Sequence, residues 1–455
     1  MSTPPPLAGG VAGPTTLRPL IGTVLDALRD GAAERGGPLP AGGPHAVAVR
    51  VRTAAEPVLP DTGTGADEAL RTLVHIVAEG AADPADPRCA AHLHCPPLAL
   101  ATAADLAASA LNPSMDSWDQ APAASELETL VTRALAAEIY PAGDALITTG
   151  GTESNQLAVL LARERHGNLQ LVCGANAHHS LHRAAWLLGL PAPVTVPAPT
   201  GTIDTAALDE TLTGLHGPVL VAATAGTTDT GLIDPLPEVA DLCAHHHAEL
   251  HIDASYGGPL LFSNTHRSKL TGLARAHSVT LDLHKLGWQP VAAGLLAVPS
   301  PAVLDTLTHR ADYLNADDDT EAGLPDLLGR SLRTTRRPDV LKIAVTLRAL
   351  GRTGLAGLID RTCAIAQEFA DLVETHPGLE LHQHPTISTV LLRPIGADDE
   401  TVAAIRRTLL TEGHAVLGRA RADGRLWLKA TLLNPHATTG DLEAILKLLE
   451  GSTPR

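Results

Sequence analysis

Through the middle of the chain, short apolar runs bounded by turn residues alternate with longer amphipathic stretches. That alternation restricts the fold more than any other feature. The apolar runs predict strands at 145–148, 169–173, 218–223, 249–252 and 279–283. The amphipathic stretches predict helices at 127–137, 154–165, 180–188 and 238–247. Strand–helix–strand order of this kind predicts an α/β domain with a mainly parallel sheet. In such sheets ligands bind beyond the C-terminal strand ends, so the residues that follow each strand are where chemistry is to be sought.

The chain has 455 residues, more than one ordinary core holds, so two or three subdomains are expected. Residues 1–90 read as an N-terminal segment, disordered over 1–16 and helical over 17–29, with Gly/Pro-rich or irregular stretches at 31–44 and 54–64. Residues 91–335 read as the large domain, including a mobile loop over 311–329 whose stretch 315–325 is polar and aperiodic. Residues 336–455 read as a small α+β domain with helices at 341–350, 360–373, 400–411 and 440–449.

Composition removes several classes of function. A formal net charge of −17 argues against nucleic acid and anionic membrane surfaces as partners. No stretch of 18 apolar residues is present, and no basic flank precedes an apolar leader, so a cytoplasmic protein is expected. Five scattered cysteines without C-x-x-C spacing fit buried thiols in a reducing compartment rather than disulfides or a zinc site. Aromatic residues make up only 2%, so the interior is built from Ala, Leu and Val, and a pocket lined by them suits a small polar ligand.

Five post-strand segments carry candidate chemistry. Thr149-Gly150-Gly151-Thr152-Glu153-Ser154-Asn155 opens a helix, where paired glycines and free N–H groups would hold a phosphate; taken alone, an ordinary tight turn with a threonine cap is the simpler reading. No G-x-G-x-x-G or G-x-x-x-x-G-K is present to support a dinucleotide or NTP site. His178, in Asn176-Ala177-His178-His179-Ser180, could stack on a flat heteroaromatic ring or simply cap the turn. Thr224 begins a run of small hydroxyl residues. Asp253, in Asp253-Ala254-Ser255-Tyr256-Gly257-Gly258, is a carboxylate at a buried strand end that needs a cationic partner, and a protonated pyridine nitrogen would be one. Lys285 ends the run Val279-Thr280-Leu281-Asp282-Leu283-His284-Lys285 and is one of only five lysines. A partly desolvated lysine forms a Schiff base, which arginine cannot. Each segment alone has an ordinary structural explanation. Their joint order supplies a phosphate cradle, a stacking ring, a nitrogen partner and a Schiff-base lysine, the protein's share of a pyridoxal phosphate (PLP) site.

These same motifs resemble the group II PLP-dependent amino acid decarboxylases, of fold type I (aspartate aminotransferase-like), over about residues 85–450. His92 to Pro97, Asn112 to Gln120, Leu260 to Asn264 and Ser331 to Arg337 are most similar to L-2,4-diaminobutyrate decarboxylases. The resemblance implies that Lys285 bears the cofactor, His178 stacks on its ring and Asp253 pairs with its nitrogen. It assigns Gly151, Thr152 and His284 to the phosphate, and Thr224 and Ser255 to the cofactor's lining. Arg336 would place the substrate carboxylate, and Tyr313, on the mobile loop, would act after CO2 loss. It implies no metal, and a homodimer with shared active sites. Pro338, Ala344 and Gly287 stand where the family often has an aromatic, which bears on the substrate more than on the cofactor. The activity implied is decarboxylation of a small L-amino acid, best a diamino acid, to the amine. The alternatives are decarboxylation coupled to oxidative deamination, a biosynthetic paralogue with another substrate, a metal hydrolase using His178, His179 and His245 to His247, and a non-catalytic scaffold that retains the fold, against which Lys285 and Asp253 both stand.

Overall fold

The computed structural model describes residues 4–308, 314 and 316–452. The chain divides into two compact units. One holds Pro97–Gln367 and His384–Thr389; the other holds Met1–Pro96, Glu368–Gln383 and Val390–Arg455. The strands are β1 (Cys89–Ala90), β2 (Asp144–Thr148), β3 (Gln170–Gly174), β4 (Val194–Val196), β5 (Val219–Thr224), β6 (Glu249–Ala254), β7 (Ser278–Asp282), β8 (Gly294–Val298), β9 (Leu379–Leu381), β10 (Thr389–Pro394), β11 (Val416–Ala422) and β12 (Arg425–Thr431).

The first unit is built on a seven-stranded sheet of order β2-β8-β7-β6-β5-β3-β4. The run from β4 through β3, β5 and β6 to β7 is parallel throughout. β8 is antiparallel to both of its neighbours, so β2 points the same way as the parallel set. Every residue of β2, β5, β7 and β8 is buried. A sheet covered on both faces needs continuous apolar strands rather than alternating ones, which is why these runs are visible in the sequence. Helix Gly151–His166 supplies Val159 and Ala162 to a core with Leu171, Leu181 and Leu220. Its Leu157 and Leu161 pack with Leu146, Leu296 and Val298.

The expected strands and their helices lie within a few residues of the observed ones. β4 and β8 fall outside that expectation. β4 has only three residues and is partly exposed, too little to show a period. β8 is an antiparallel insertion with no helix between it and β7, which strand–helix alternation does not signal.

The second unit contains helices Gly13–Arg35, Gly43–Ala55 and Ala66–Glu79, the sheet β1-β11-β12-β10-β9, and helices Asp399–Thr411 and Thr439–Ser452. A Cβ on Gly31 would lie 2.4 Å from the carbonyl oxygen of His75, so this glycine lets the first helix approach the third. Here the expectations are corrected. A helix starts at Gly13, inside the supposed leader, with Pro in its first turn, and it ends at Gly36 (φ 68°). The first 96 residues do not stand as a segment of their own: β1 pairs parallel with β11, a contact across most of the chain that no local pattern encodes. The helices expected at 341–350 and 360–373 are both present within Val340–Thr375, where two helices meet at a kink at Gly351 (φ 60°, ψ −173°). Part of the expected loop is ordered as the short helix Asp317–Glu321 and a 3-10 turn at Leu328–Arg330. Tyr313 lies outside the described residues. No described helix is long and apolar enough to cross a membrane.

Candidate active site

The strands that point together also end together. Register pairs Thr148 of β2 and Asp282 of β7 with Gly294 of β8, and Thr224 of β5 with Asp253 of β6. The segments after these strands therefore emerge along one sheet edge.

Three glycines make that edge close-packed. Gly150 has φ 146°, a conformation that L-residues with side chains rarely adopt. A Cβ on Gly150 would lie 2.9 Å from Cε1 of His284; on Gly151, 2.2 Å from Oγ of Ser255; on Gly294, 2.4 Å from Cα of Gly150. Helix Gly151–His166 starts here, so its unpaired N–H groups and positive dipole end face the same place. The turn is tied by Glu153, whose Oε2 accepts from the Thr149 amide at 2.5 Å and its hydroxyl at 2.7 Å. Thr152 sits exposed in the first helical turn. The arrangement is a cradle for an anion.

Asp253, 5% exposed, accepts at Oδ1 from the Ser255 amide (3.0 Å) and hydroxyl (2.6 Å), and at Oδ2 from Nδ2 of Asn155 (2.7 Å). Burial pushes its pKa up. The Ser255 hydroxyl, the charge of Lys285, the Asn155 amide and His251 more than reverse this, leaving the carboxyl below the usual range. It is a buried carboxylate held ionised, suited to a cationic ring nitrogen. His178 is half-buried with Nδ1 2.8 Å from the Ser180 hydroxyl. Burial holds its pKa down against the pull of Asp253, so the imidazole is neutral. Thr224 is held through its amide by Asp234 at 2.7 Å, while its buried Oγ1 has no protein partner.

Nζ of Lys285 lies 2.8 Å from Oδ2 of Asp282, and Nε2 of His284 lies 3.6 Å from the same oxygen. The other oxygen of Asp282, Oδ1, is buried without a partner. His284 accepts at Nδ1 from the Ala293 amide at 3.3 Å, and burial lowers its pKa.

Gly151, Ser255, His284 and Lys285 thus gather around Asp282, and Asp253 is bonded to Ser255. Arg336, expected to place the substrate carboxylate, lies in a buried ion pair. Its two terminal nitrogens donate to Glu128 at 2.6 and 2.7 Å and both side chains are buried, while its Nε is buried without a protein partner. Asn155 and Asp282 stand in the post-strand segments quoted above but carry no role in the sequence. A carboxylate inside an apolar strand end, three residues before the lysine, was the available signal for Asp282. The His245–His247 run lies at the end of helix Leu236–His245, with His246 bonded to Asp209.

Residues 51–394 match the pyridoxal-dependent decarboxylase conserved domain. The chain is 42% identical, over 87% of its length and 84% of the relative's, to L-2,4-diaminobutyrate decarboxylase of Rhizobium meliloti (strain 1021). The chain belongs to the pyridoxal-dependent decarboxylase family. It is 33% identical to the L-2,4-diaminobutyrate decarboxylase of Acinetobacter baumannii, over 84% of this chain and 83% of that one. The crystal structure of the glutamate decarboxylase domain of diaminobutyrate-pyruvate transaminase and L-2,4-diaminobutyrate decarboxylase from Vibrio parahaemolyticus matches 98% of this chain and 97% of that one, with a TM-score of 0.87 and 32% identity. Oryza sativa TDC with PLP and tryptamine shares the fold at a TM-score of 0.88, 22% identity and 99% coverage of both chains.

This decarboxylase therefore has the expected α/β fold and uses PLP on an amino acid. Its residues fit that cofactor. The glycine cradle leaves room for no side chain, the Thr224 hydroxyl awaits a partner, and Asp253 is ionised in a buried place. When bound, PLP supplies an electron sink for the pair left behind as CO2 departs.

Proposed function

We propose that the chain decarboxylates L-2,4-diaminobutyrate, or a similarly small L-diamino acid, to the amine and CO2. The observation that carries this reading is the 42% identity over 87% of the chain to the Rhizobium meliloti enzyme. In this reading Lys285 bears the cofactor, and the cradle of Gly151 and Thr152, with His284, binds its phosphate. Asp253 keeps a proton on the ring nitrogen, which favours loss of CO2. A neutral His178 stacks on the ring without setting a second positive charge against it. Thr224 and Ser255 line the cofactor. Tyr313 gives a proton to the carbon that loses CO2, a role a phenol can fill. With Arg336 paired to Glu128, the substrate carboxylate is left to another group.

We also propose a homodimer with shared active sites, working in the cytoplasm. Leu25, Leu28, Leu73 and Val77 on the first and third helices are exposed, as a surface awaiting a second copy would have them. All five cysteines are free thiols, which suits a reducing compartment.

The experiment is a CO2-release screen over diaminobutyrate, ornithine, lysine, aspartate, glutamate and tyrosine. The expected result is a kcat/KM for diaminobutyrate above every other. Preference for an acidic or aromatic amino acid would overturn the substrate; peroxide and aldehyde in place of amine would overturn the product.

A further inference from the structure

One side-chain amide joins two of the site's functional groups. Asn155, in the first turns of helix Gly151–His166, is fully buried. Its Nδ2 donates to Oδ2 of Asp253 at 2.7 Å and to the Ser180 hydroxyl at 2.9 Å. Its Oδ1 accepts from Nε2 of His251 at 3.0 Å and from the Thr280 hydroxyl at 2.9 Å. All four sites of the amide are used, and its orientation follows from chemistry. Turned over, it would set a carbonyl oxygen against a carboxylate oxygen at Asp253.

The orientation propagates both ways. Because a carbonyl only accepts, Nε2 of His251 must carry the proton, and its Nδ1 takes the Ser278 hydroxyl at 2.8 Å. On the other side, the Ser180 oxygen accepts from Asn155, which turns its own hydroxyl proton toward Nδ1 of His178 at 2.8 Å. The Ser180 amide points at the same nitrogen from 3.3 Å. With two donors aimed at Nδ1, the neutral His178 ring must hold its proton on Nε2, which lies 3.2 Å from Nδ1 of His179. The strands that carry these groups are also paired through their backbones.

We infer that Asn155 is a positioning residue: through one amide it holds the carboxylate of Asp253 toward the cofactor nitrogen and, through Ser180, fixes the Nε2–H tautomer of His178. The inference rests on the roles proposed above for Asp253 and His178.

The test uses full-length protein, with and without PLP, labelled with 15N-histidine. Two variants are compared with the wild type: Asn155→Leu, which removes the amide, and Ser180→Ala, which removes the hydroxyl between Asn155 and His178 and leaves the bond from Asn155 to Asp253 in place. In the wild type His178 reports a single Nε2–H tautomer at neutral pH. Losing one hydrogen bond shifts a tautomer ratio by about 5-fold, so both variants should show a measurable Nδ1–H population at His178. In Asn155→Leu, kcat should fall about 10-fold or more while KM changes little. An unchanged His178 signal in the folded Ser180→Ala protein would overturn the coupling, whatever its activity. His178→Gln and Asp253→Asn separate this from the functional reading. If those two keep wild-type turnover, the proposed roles fail; if they lose it while both network variants keep the wild-type tautomer, only the coupling fails.

Discussion

Arg336 shows why a residue's role is hard to read from its neighbours in sequence. It stands in Ser331 to Arg337, a stretch that resembles diaminobutyrate decarboxylases, and a free arginine there would suit a carboxylate. The partner that claims it, Glu128, lies more than two hundred positions earlier and carries no motif. A buried pair of this kind is costly to half-remove, because the remaining charge is stranded. Arg336→Met should lower unfolding stability by about 3 kcal/mol, and the double change Arg336→Met/Glu128→Leu should recover most of it. Chemical denaturation measures both; a single variant within about 0.5 kcal/mol of wild type would mean the pair carries little stability. Lys285, Asp253 and His178 stand out in the sequence because each chemically distinctive side chain lies at, or a few residues beyond, the end of an apolar strand. Asn155 does not, since what sets it apart is four buried bonds to residues of three different elements.

At the scale of elements, strand–helix alternation identified the sheet because burial on both faces leaves long apolar runs. It missed β8, yet β8 matters to the site: its first residue, Gly294, packs against the cradle. The turn after β2 gives the sharper test. A methyl group on Gly151 would fall 2.2 Å from the Ser255 hydroxyl and 3.1 Å from Oδ2 of Asp282. Neither can yield freely, because Ser255 holds Asp253 and Asp282 holds Lys285. Gly151→Ala should therefore weaken PLP binding by on the order of 10-fold or more, with helix content unchanged by circular dichroism. Wild-type affinity in that variant would show that the cradle has slack the packing denies.

At the scale of the whole molecule, buried histidines set the response to acid. Burial lowers the pKa of His251 from 6.5 to about 4, so the folded chain keeps it neutral while the unfolded chain protonates it. Its stabilising contribution is complete above pH 6.5 and is lost as pH falls toward 4, amounting to on the order of 3 kcal/mol. His178 and His284, also lowered by burial, act in the same direction. Urea unfolding at pH 7 and pH 5 should show the loss, and His251→Gln, which cannot titrate, should reduce it. An equal loss in that variant would place the acid sensitivity elsewhere. The grouping of residues 1–96 with the end of the chain belongs to this scale too. It depends on a pairing, β1 with β11, between segments too far apart for any sequence period to join.

The central claim is that one sheet edge forms a PLP site whose covalent anchor is Lys285. Borohydride reduction of the holoenzyme fixes the cofactor to the lysine that bears it, and peptide mass spectrometry then locates it. Among the five lysines, 269, 285, 342, 429 and 447, the account predicts the added mass on Lys285 alone. Lys342 is already engaged by Asp339 and Asp105, at 3.1 and 3.2 Å. The cofactor's mass on any other lysine, or on none while the protein still decarboxylates, would contradict it.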